Sequence, residues 1–420
     1  VTGLAAARAG GLEVLEATRV PGGICRSYYL GADGSEPLAA PPRDGRAWRF
    51  EVGGGHWLFG GDPVLLDWLD RLAPLHRYER RAAVYFARSG LTVPYPLQNH
   101  LAALGREVAI SALAEMARPV APARTLGEWL RARFGPTLFE LFFGPFHERY
   151  TAGLLDRIAP QDDFKSPHDF ARALEGAFGG TAPVGYNATF AYPRDGLDAL
   201  ARALAAGCRI AFDREVVRID PGEHTVHCAD GSARRYGSLL SSLPLARMLE
   251  LTGLTVDGPP DPHTSVLVVN VGARRGPRCP AAHWLYVPDS ASGFYRVGFY
   301  SNVEPAFLPQ RAGRDELVSL YVERAWLGGT RPSAEEIVRY RNATVAELQG
   351  YGFISTVEVW REDWIEVAYT WSWPGSNWRA RALDALRRHR IHQIGRYGRW
   401  VFQGIADSIR EGLVAGNCMR

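Results

Sequence analysis

Residues 11–17, GLEVLEA, read as a buried strand that closes on an acid, Glu16, and a short helix opened by Thr2 and Gly3 runs straight into them. A helix feeding a strand that ends in an acid is the second half of a dinucleotide-binding βαβ unit, where the acid holds a ribose hydroxyl. The strand is therefore expected to be parallel, in an α/β fold. The first half of the unit is degenerate. No G-x-G stands ahead of Gly3. Residues 2–9 rise only ~12 Å at 1.5 Å per residue, whereas a full crossover takes at least ~10–12 residues. The turn VPGG follows and ends at Gly23.

A second glycine-rich stretch, FEVGGGHWLFGGDP at residues 50–63, sets Gly53, Gly54 and Gly55 before a histidine, His56. Glycine lacks a Cβ, so such a backbone can take φ > 0 and lie against a flat ligand. A histidine at its end has a fixed aim and a pKa that its surroundings can move. A plain turn between a strand at 48–52 and a helix at 63–72 explains the same residues.

The 420 residues are 46% hydrophobic and 22% charged, the balance of a water-soluble globular chain of two or three interlocked domains. No apolar run approaches the ~20 residues of a membrane span, and no signal peptide is legible. Positive charge comes almost wholly from arginine, Lys165 being the single lysine. That pattern fits a GC-rich genome, and the arginines are dispersed among acids, so a nucleic-acid-binding face is not expected. Cys25, Cys208, Cys228, Cys279 and Cys418 are scattered and odd in number, which argues against a disulfide framework or zinc site and for the cytoplasm. Twelve tryptophans, several between Trp360 and Trp378, suggest either core packing or a stacking surface for sugar or base.

Further along, residues 26–52 read as an extended hairpin with a polar tip at 31–45, and 63–72 as an amphipathic helix capped by Asp62. A hairpin is expected at 80–93 and a loop, PYPLQNH, at 94–100. Residues 101–178 form a helical insertion, with a capping box of Thr125 and Glu128. GPFHERYTAG at 144–153 reads as an aromatic and polar turn. A strand at 189–192 precedes a helix at 197–206, and 209–219 pairs with 224–228 as a hairpin. A further strand falls at 238–245. Runs rich in β-formers at 265–272, 284–287, 294–300, 316–324 and 354–371 predict one large mixed sheet of six or so strands. Helices are expected at 333–351, 377–388 and 406–414, and a loop and strand at 395–402.

Several of these segments resemble known flavoproteins. LEATRVPGG, and DREVVRID with ADGS and LLSSLPL, resemble the flavin-binding segments of the amine oxidase and protoporphyrinogen oxidase group. GGGHWLF, PYPLQN, YNATFAYP, HWLYVPDSASGFYRVGFYSN and GRYGRW resemble, in order, motifs of the UDP-galactopyranose mutase family, especially its eukaryotic kind. The resemblance runs from about Leu15 to Val414. It implies a Rossmann-like FAD/NAD(P)-binding fold assembled from residues 1–100, 193–250 and 395–420. The helical insertion would then span 101–180, and a substrate-binding sheet 181–192 and 251–394.

Residue by residue, the resemblance implies that Arg296, with Arg157 in LLDRIAP, clamps a pyrophosphate, and that His56 sits against the flavin or the sugar. Tyr95, Gln98 and Asn99 would meet the nucleobase; Asn187 and Tyr286 the phosphates. Trp371 would wall the sugar and Arg396 would lie near cofactor and substrate phosphates. Glu16, Gly23, Gly54, Gly55 and Asp407 would contact FAD. The chain departs from the family where His147 and Thr151 replace an asparagine and a tryptophan on the uridine, and where Val303 and Phe402 replace tyrosines.

The activity the resemblance implies is thus ring contraction of a nucleotide-diphosphate hexose, not UDP-linked, with GDP as one option for the carrier and reduced FAD supplying the nucleophile. Because the phosphate-loop glycines are missing from the stretch before Gly3, a flavin-independent reaction helped by Mg or Mn is the alternative, with Asp62, Asp162, Asp163 and Asp407 as carboxylates in or near loops. An FAD-dependent oxidase or desaturase, and a non-catalytic nucleotide-sugar binding protein, are the other readings. The oligomeric state is open, a homodimer among the options.

Overall fold

Three long strands, His263–Arg275, Leu317–Leu327 and Ile354–Thr370, carry the architecture. In a computed structural model that describes residues 1–31, 36–161, 167–179, 188–311 and 313–420, they lie side by side in a seven-stranded sheet. Its order is Ile354–Thr370, His263–Arg275, Leu317–Leu327, Arg296–Phe299, Trp284–Tyr286, Ala82–Phe86 and Leu91–Pro94. Every pairing is antiparallel except that of Trp284–Tyr286 with Ala82–Phe86, which is parallel. VLVVNV in the second strand is almost continuously apolar because both faces are covered. Val266 and Val268 pack on one side with Trp48, Phe50 and Trp57. Leu267, Val269 and Val271 pack on the other with Tyr340 and Leu348 of the helix Ala334–Gly350.

The first helix, Thr2–Gly10, leads into Glu13–Leu15, which pairs in parallel with Arg209–Ala211. A second parallel pair joins Leu239–Ser241 to Ile391–Gln393. Thr2–Gly10 lies directly against the last helix, Ile405–Asn417, an approach that small residues permit: a Cβ on Gly416 would overlap the Ala6 carbonyl. These pairs and helices make the Rossmann-like side of a mixed α/β fold.

Local signals place much of the remainder. Asp62 accepts from Leu65 N at 2.8 Å and starts the helix Pro63–Leu72. Thr125 and Glu128 complete the capping box of Leu126–Leu138. Among the described residues no helix is long and apolar enough to cross a membrane.

Four expectations differ. Residues 144–153 are not a turn: Gly144–Tyr150 is a helix continuing from Phe139–Phe143. Pro145 stands just after the Phe139–Phe143 π-helical turn, and the helix passes through it without a break. Residues 209–219 do not form one strand of a hairpin. Asp213 adopts φ 54, so the chain turns there; Arg209–Ala211 stays beside Glu13–Leu15, and only Val216–Asp220 pairs with Thr225–Cys228. Residues 395–402 hold a short helix, Gly395–Gly398, and no strand. The strand Thr189–Pro193 pairs with Leu58–Phe59 and Leu75–Glu79, not with the large sheet, whose edge is built from Ala82–Phe86 and Leu91–Pro94.

Candidate active site

Gly53, Gly54 and Gly55 leave the strand Trp48–Glu51 and bring His56 beneath the large sheet. The space they leave is filled by the protein's own side chains. A Cβ on Gly53 would overlap the His56 ring, one on Gly55 the Tyr321 hydroxyl, and one on Gly54, with φ 77, would sit 2.7 Å from Glu323 Oε1. Glycine is therefore required here for packing of chain against chain. Burial first, and then the neighbouring Arg396 and Arg296 guanidinium groups, hold the His56 pKa down at about 4. The imidazole is neutral at pH 7, and its Nδ1 has no partner among the described residues.

Arg296 is opposite Tyr286 in register. It donates through Nε and Nη2 to the two oxygens of Glu323 at 2.8 and 2.7 Å. Glu323 is 2% exposed and also accepts from the Tyr295 hydroxyl at 2.7 Å. This bidentate pair fixes the guanidinium plane but offsets its charge. Arg396 donates to the Ala368 carbonyl at 3.0 Å and lies over the rings of Phe402 and Tyr369 at 4.6 and 5.2 Å.

A row of rings runs past these groups. Tyr95 and Tyr286 have centroids 4.7 Å apart, Tyr286 and Phe146 5.1 Å, Phe146 and Tyr150 5.6 Å, and Tyr150 lies 4.5 Å from Tyr369 and 5.4 Å from Trp371. Phe142, Phe146 and Tyr150 recur every four residues, so the helix turns one aromatic face to the sheet. Guanidinium groups stand along the row: Arg80 over Tyr95 at 5.5 Å, Arg296 by Tyr295 at 5.9 Å and Arg396 over Tyr369 at 5.2 Å.

The sites expected from sequence divide accordingly. His56, Arg296, Arg396, Tyr95, Tyr286 and Trp371 converge on this region. Arg157 is exposed on Trp373, and no described contact links it to His56 or Arg296. Gln98 is fully buried, its Nε2 donating to the Pro167 carbonyl at 2.9 Å. Asn99 is 5% exposed, and neither its Oδ1 nor Gln98 Oε1 has a partner among the described residues. His147 is inside a helix, its Nδ1 2.7 Å from the Phe143 carbonyl, and Thr151 returns a bond to the His147 carbonyl. Asn187, Asp162 and Asp163 lie outside the described residues. Asp62 is occupied by its cap and by Arg410 at 2.9 Å, and Asp407 lies in the first turn of Ile405–Asn417. Among the described residues no group of three or more His, Cys, Asp or Glu is placed to hold a metal ion. Sequence reading missed Glu323, Arg80, Tyr150 and Tyr369; only the four-residue aromatic spacing announced one of them.

The family model for flavin containing amine oxidoreductases matches residues 1–415. The chain belongs to that family. Among solved structures it is similar to a reduced UDP-galactopyranose mutase, with TM-score 0.82 at 20% identity over 99% of this chain and 92% of that one. A fatty acid isomerase from P. acnes gives TM-score 0.57 at 14% identity over 98% and 95%. A variant of putrescine oxidase gives 0.56 at 15% over 100% and 96%. At these identities the likeness is one of fold.

Members of the family contain flavin, and the residues at the ribose end fit one. Glu16 stands at the end of its parallel strand, with Oε1 accepting from Thr18 N and Oγ1 at 2.9 and 2.8 Å. Gly23, at φ 59, has open space where a Cβ would stand. Glu16 would hold the ribose and the Gly22–Gly23 turn would pass the ligand closely. At Gly53–Gly55, by contrast, the space that glycine frees is taken by His56, Glu323 and Tyr321.

Proposed function

We propose that this protein is a nucleotide-sugar mutase, converting the pyranose ring of a nucleotide-diphosphate hexose to a furanose, with GDP rather than UDP as the carrier. The observation that carries this reading is the pair of guanidinium groups, Arg296 and Arg396, both close enough to a buried, neutral His56 to lower its pKa. A positive, aromatic-walled site suits a departing diphosphate. The same field would oppose the ammonium of an amine substrate, which separates this protein from amine-oxidising members of its family. Likeness of fold to a UDP-galactopyranose mutase across 99% of the chain is a second support.

Ring contraction needs the C1–diphosphate bond to break, its electron pair leaving on the phosphate oxygen; the C4 hydroxyl oxygen then closes on C1 as it gives up its proton, and the C1–O5 bond breaks with O5 taking a proton as the diphosphate returns to C1. Arg296 and Arg396 would stabilise the leaving charge. Arg296 keeps Nη1 for that purpose, its other donors being held by Glu323. Tyr286, Tyr150 and Trp371 would exclude water from C1. His56 would offer a lone pair without adding charge. A bound flavin supplies an electron-rich ring nitrogen for C1. Replacement of His147 and Thr151 for the uridine-contacting residues of the mutase family favours a base other than uracil.

The test is incubation of the reduced protein with GDP- and UDP-hexopyranoses, followed by proton NMR of the anomeric region. Furanose signals from the GDP-sugar, lost in Arg296→Met/Glu323→Gln, support the proposal. Oxygen consumption with an amine and no furanose from either nucleotide sugar would overturn it.

A further inference from the structure

A separate cavity of about 310 Å³ shares no lining residue with the aromatic-walled site. That volume is at the small end of the ~300–1,000 Å³ usual for ligand pockets. One side is apolar, formed by Pro21, Pro37, Leu38 and Val52. The other side carries three arginines and two aspartates.

The charges on that side do not cancel. Arg202 Nη1 is bound to Asp198 at 2.5 Å. Arg361 Nε is 3.9 Å from Asp363 Oδ1, while Asp363 Oδ2 accepts from the Tyr28 hydroxyl and from Asn270, each at 2.9 Å. Burial raises the Asp363 pKa to about 6, against the bonds from Tyr28 and Asn270 and the charges of Arg361 and, through space, Arg26, so the carboxylate is still largely ionised at pH 7 and three guanidinium groups face two carboxylates. Arg26 remains. It is half-buried, makes no side-chain hydrogen bond or ion pair among the described residues, and its Nε is closed off from solvent. A guanidinium withdrawn from water without a partner is unfavourable, and an anion in the cavity would relieve it.

We propose that this cavity binds a small amphipathic carboxylate, with Arg26 as the ionic anchor and the Pro21, Leu38 and Val52 side as the wall for its apolar body. One unpartnered guanidinium matches one carboxylate, and planar bidentate pairing is the strongest form of that contact. Asp198 and Asp363 in the same wall disfavour a phosphate dianion. The volume limits the body to a short chain or a single ring.

Calorimetric titration of the full chain with hexanoate and benzoate tests this, with hexanamide and inorganic phosphate as controls. A carboxylate should bind, hexanamide should bind at least about tenfold more weakly, and saturating GDP should not displace the carboxylate. Arg26→Gln should weaken the carboxylate by about tenfold or more. Leu38→Trp, which fills the apolar side and keeps Arg26, should do the same and stands in if Arg26→Gln fails to fold. The proposal is overturned if hexanamide matches hexanoate, if phosphate binds better than either carboxylate, if GDP competes, or if no carboxylate binds.

Discussion

Removing the Glu323 carboxylate should expose how the guanidinium at the centre of the site is held. Glu323→Leu deletes both acceptors of Arg296 and the acceptor of the Tyr295 hydroxyl. Breaking a buried ion pair by removing one partner costs ~3–5 kcal/mol. The Arg296 side chain is 20% exposed, so water partly compensates and the lower end, ~3 kcal/mol, applies here. Unfolding entropy of ~2.1 cal/mol/K per residue over 420 residues is ~0.9 kcal/mol/K, which turns that loss into a Tm decrease of ~3 °C. Arg296→Met alone strands the more deeply buried carboxylate and should cost at least as much. In Arg296→Met/Glu323→Leu neither charge is left alone, and an apolar pair in place of a buried ion pair is often neutral. The double variant should therefore recover most of the loss. Calorimetry on the four proteins closes the cycle, with an expected coupling of at least ~3 kcal/mol, more than half of the ~6 kcal/mol sum of the two single losses. Simple addition of the two single losses would refute the claim that Glu323 acts through Arg296.

Other outcomes follow from the same geometry. Gly55→Ala drives a Cβ into the Tyr321 hydroxyl and should cost ~1–3 kcal/mol by overpacking, read as a lower Tm; an unchanged Tm would mean that the loop yields freely. Glu51 is fully buried and burial raises its pKa to about 7, against the bonds from Tyr192 and Ser27 and the nearby Arg49. A carboxyl raised on folding contributes stability below pH 4.5 that is lost as pH climbs through 7, roughly 3 kcal/mol across the window. Urea unfolding from pH 4.5 to 8 should show this decline, and Glu51→Gln should flatten it. For His56 the shift has the opposite sense: a pKa of about 4 leaves the ring neutral, so its NMR signal should not titrate between pH 8 and 5.5, and its contribution to stability falls only as pH drops from 6.5 towards 4.

Elements whose cause is local were legible in the sequence. Asp62 before Pro63 and Thr125 with Glu128 each fix their structure within a few residues. The parallel strand was legible in kind, but it is shorter and less covered than the expected buried run: Glu13–Leu15 ends one residue before Glu16, and none of its residues is buried. Gly144–Tyr150 was not, because a glycine and a proline also open turns, and only the preceding Phe139–Phe143 decides between them. In the site, motifs located His56, Arg296 and Arg396. They could not show that Glu323, one acid in a long strand, faces Arg296 across the sheet, nor that Arg157 turns out onto Trp373. Those are matters of register and of side-chain direction between distant segments.

The lone parallel seam between Ala82–Phe86 and Trp284–Tyr286 stitches together strands that synthesis delivers some two hundred residues apart. Until the later one emerges, Ala82–Phe86 has its hairpin mate on one flank and a bare row of peptide groups on the other. A halfway product released between them would carry that sticky margin permanently. Splitting the gene there should yield two insoluble pieces that become soluble only when co-expressed.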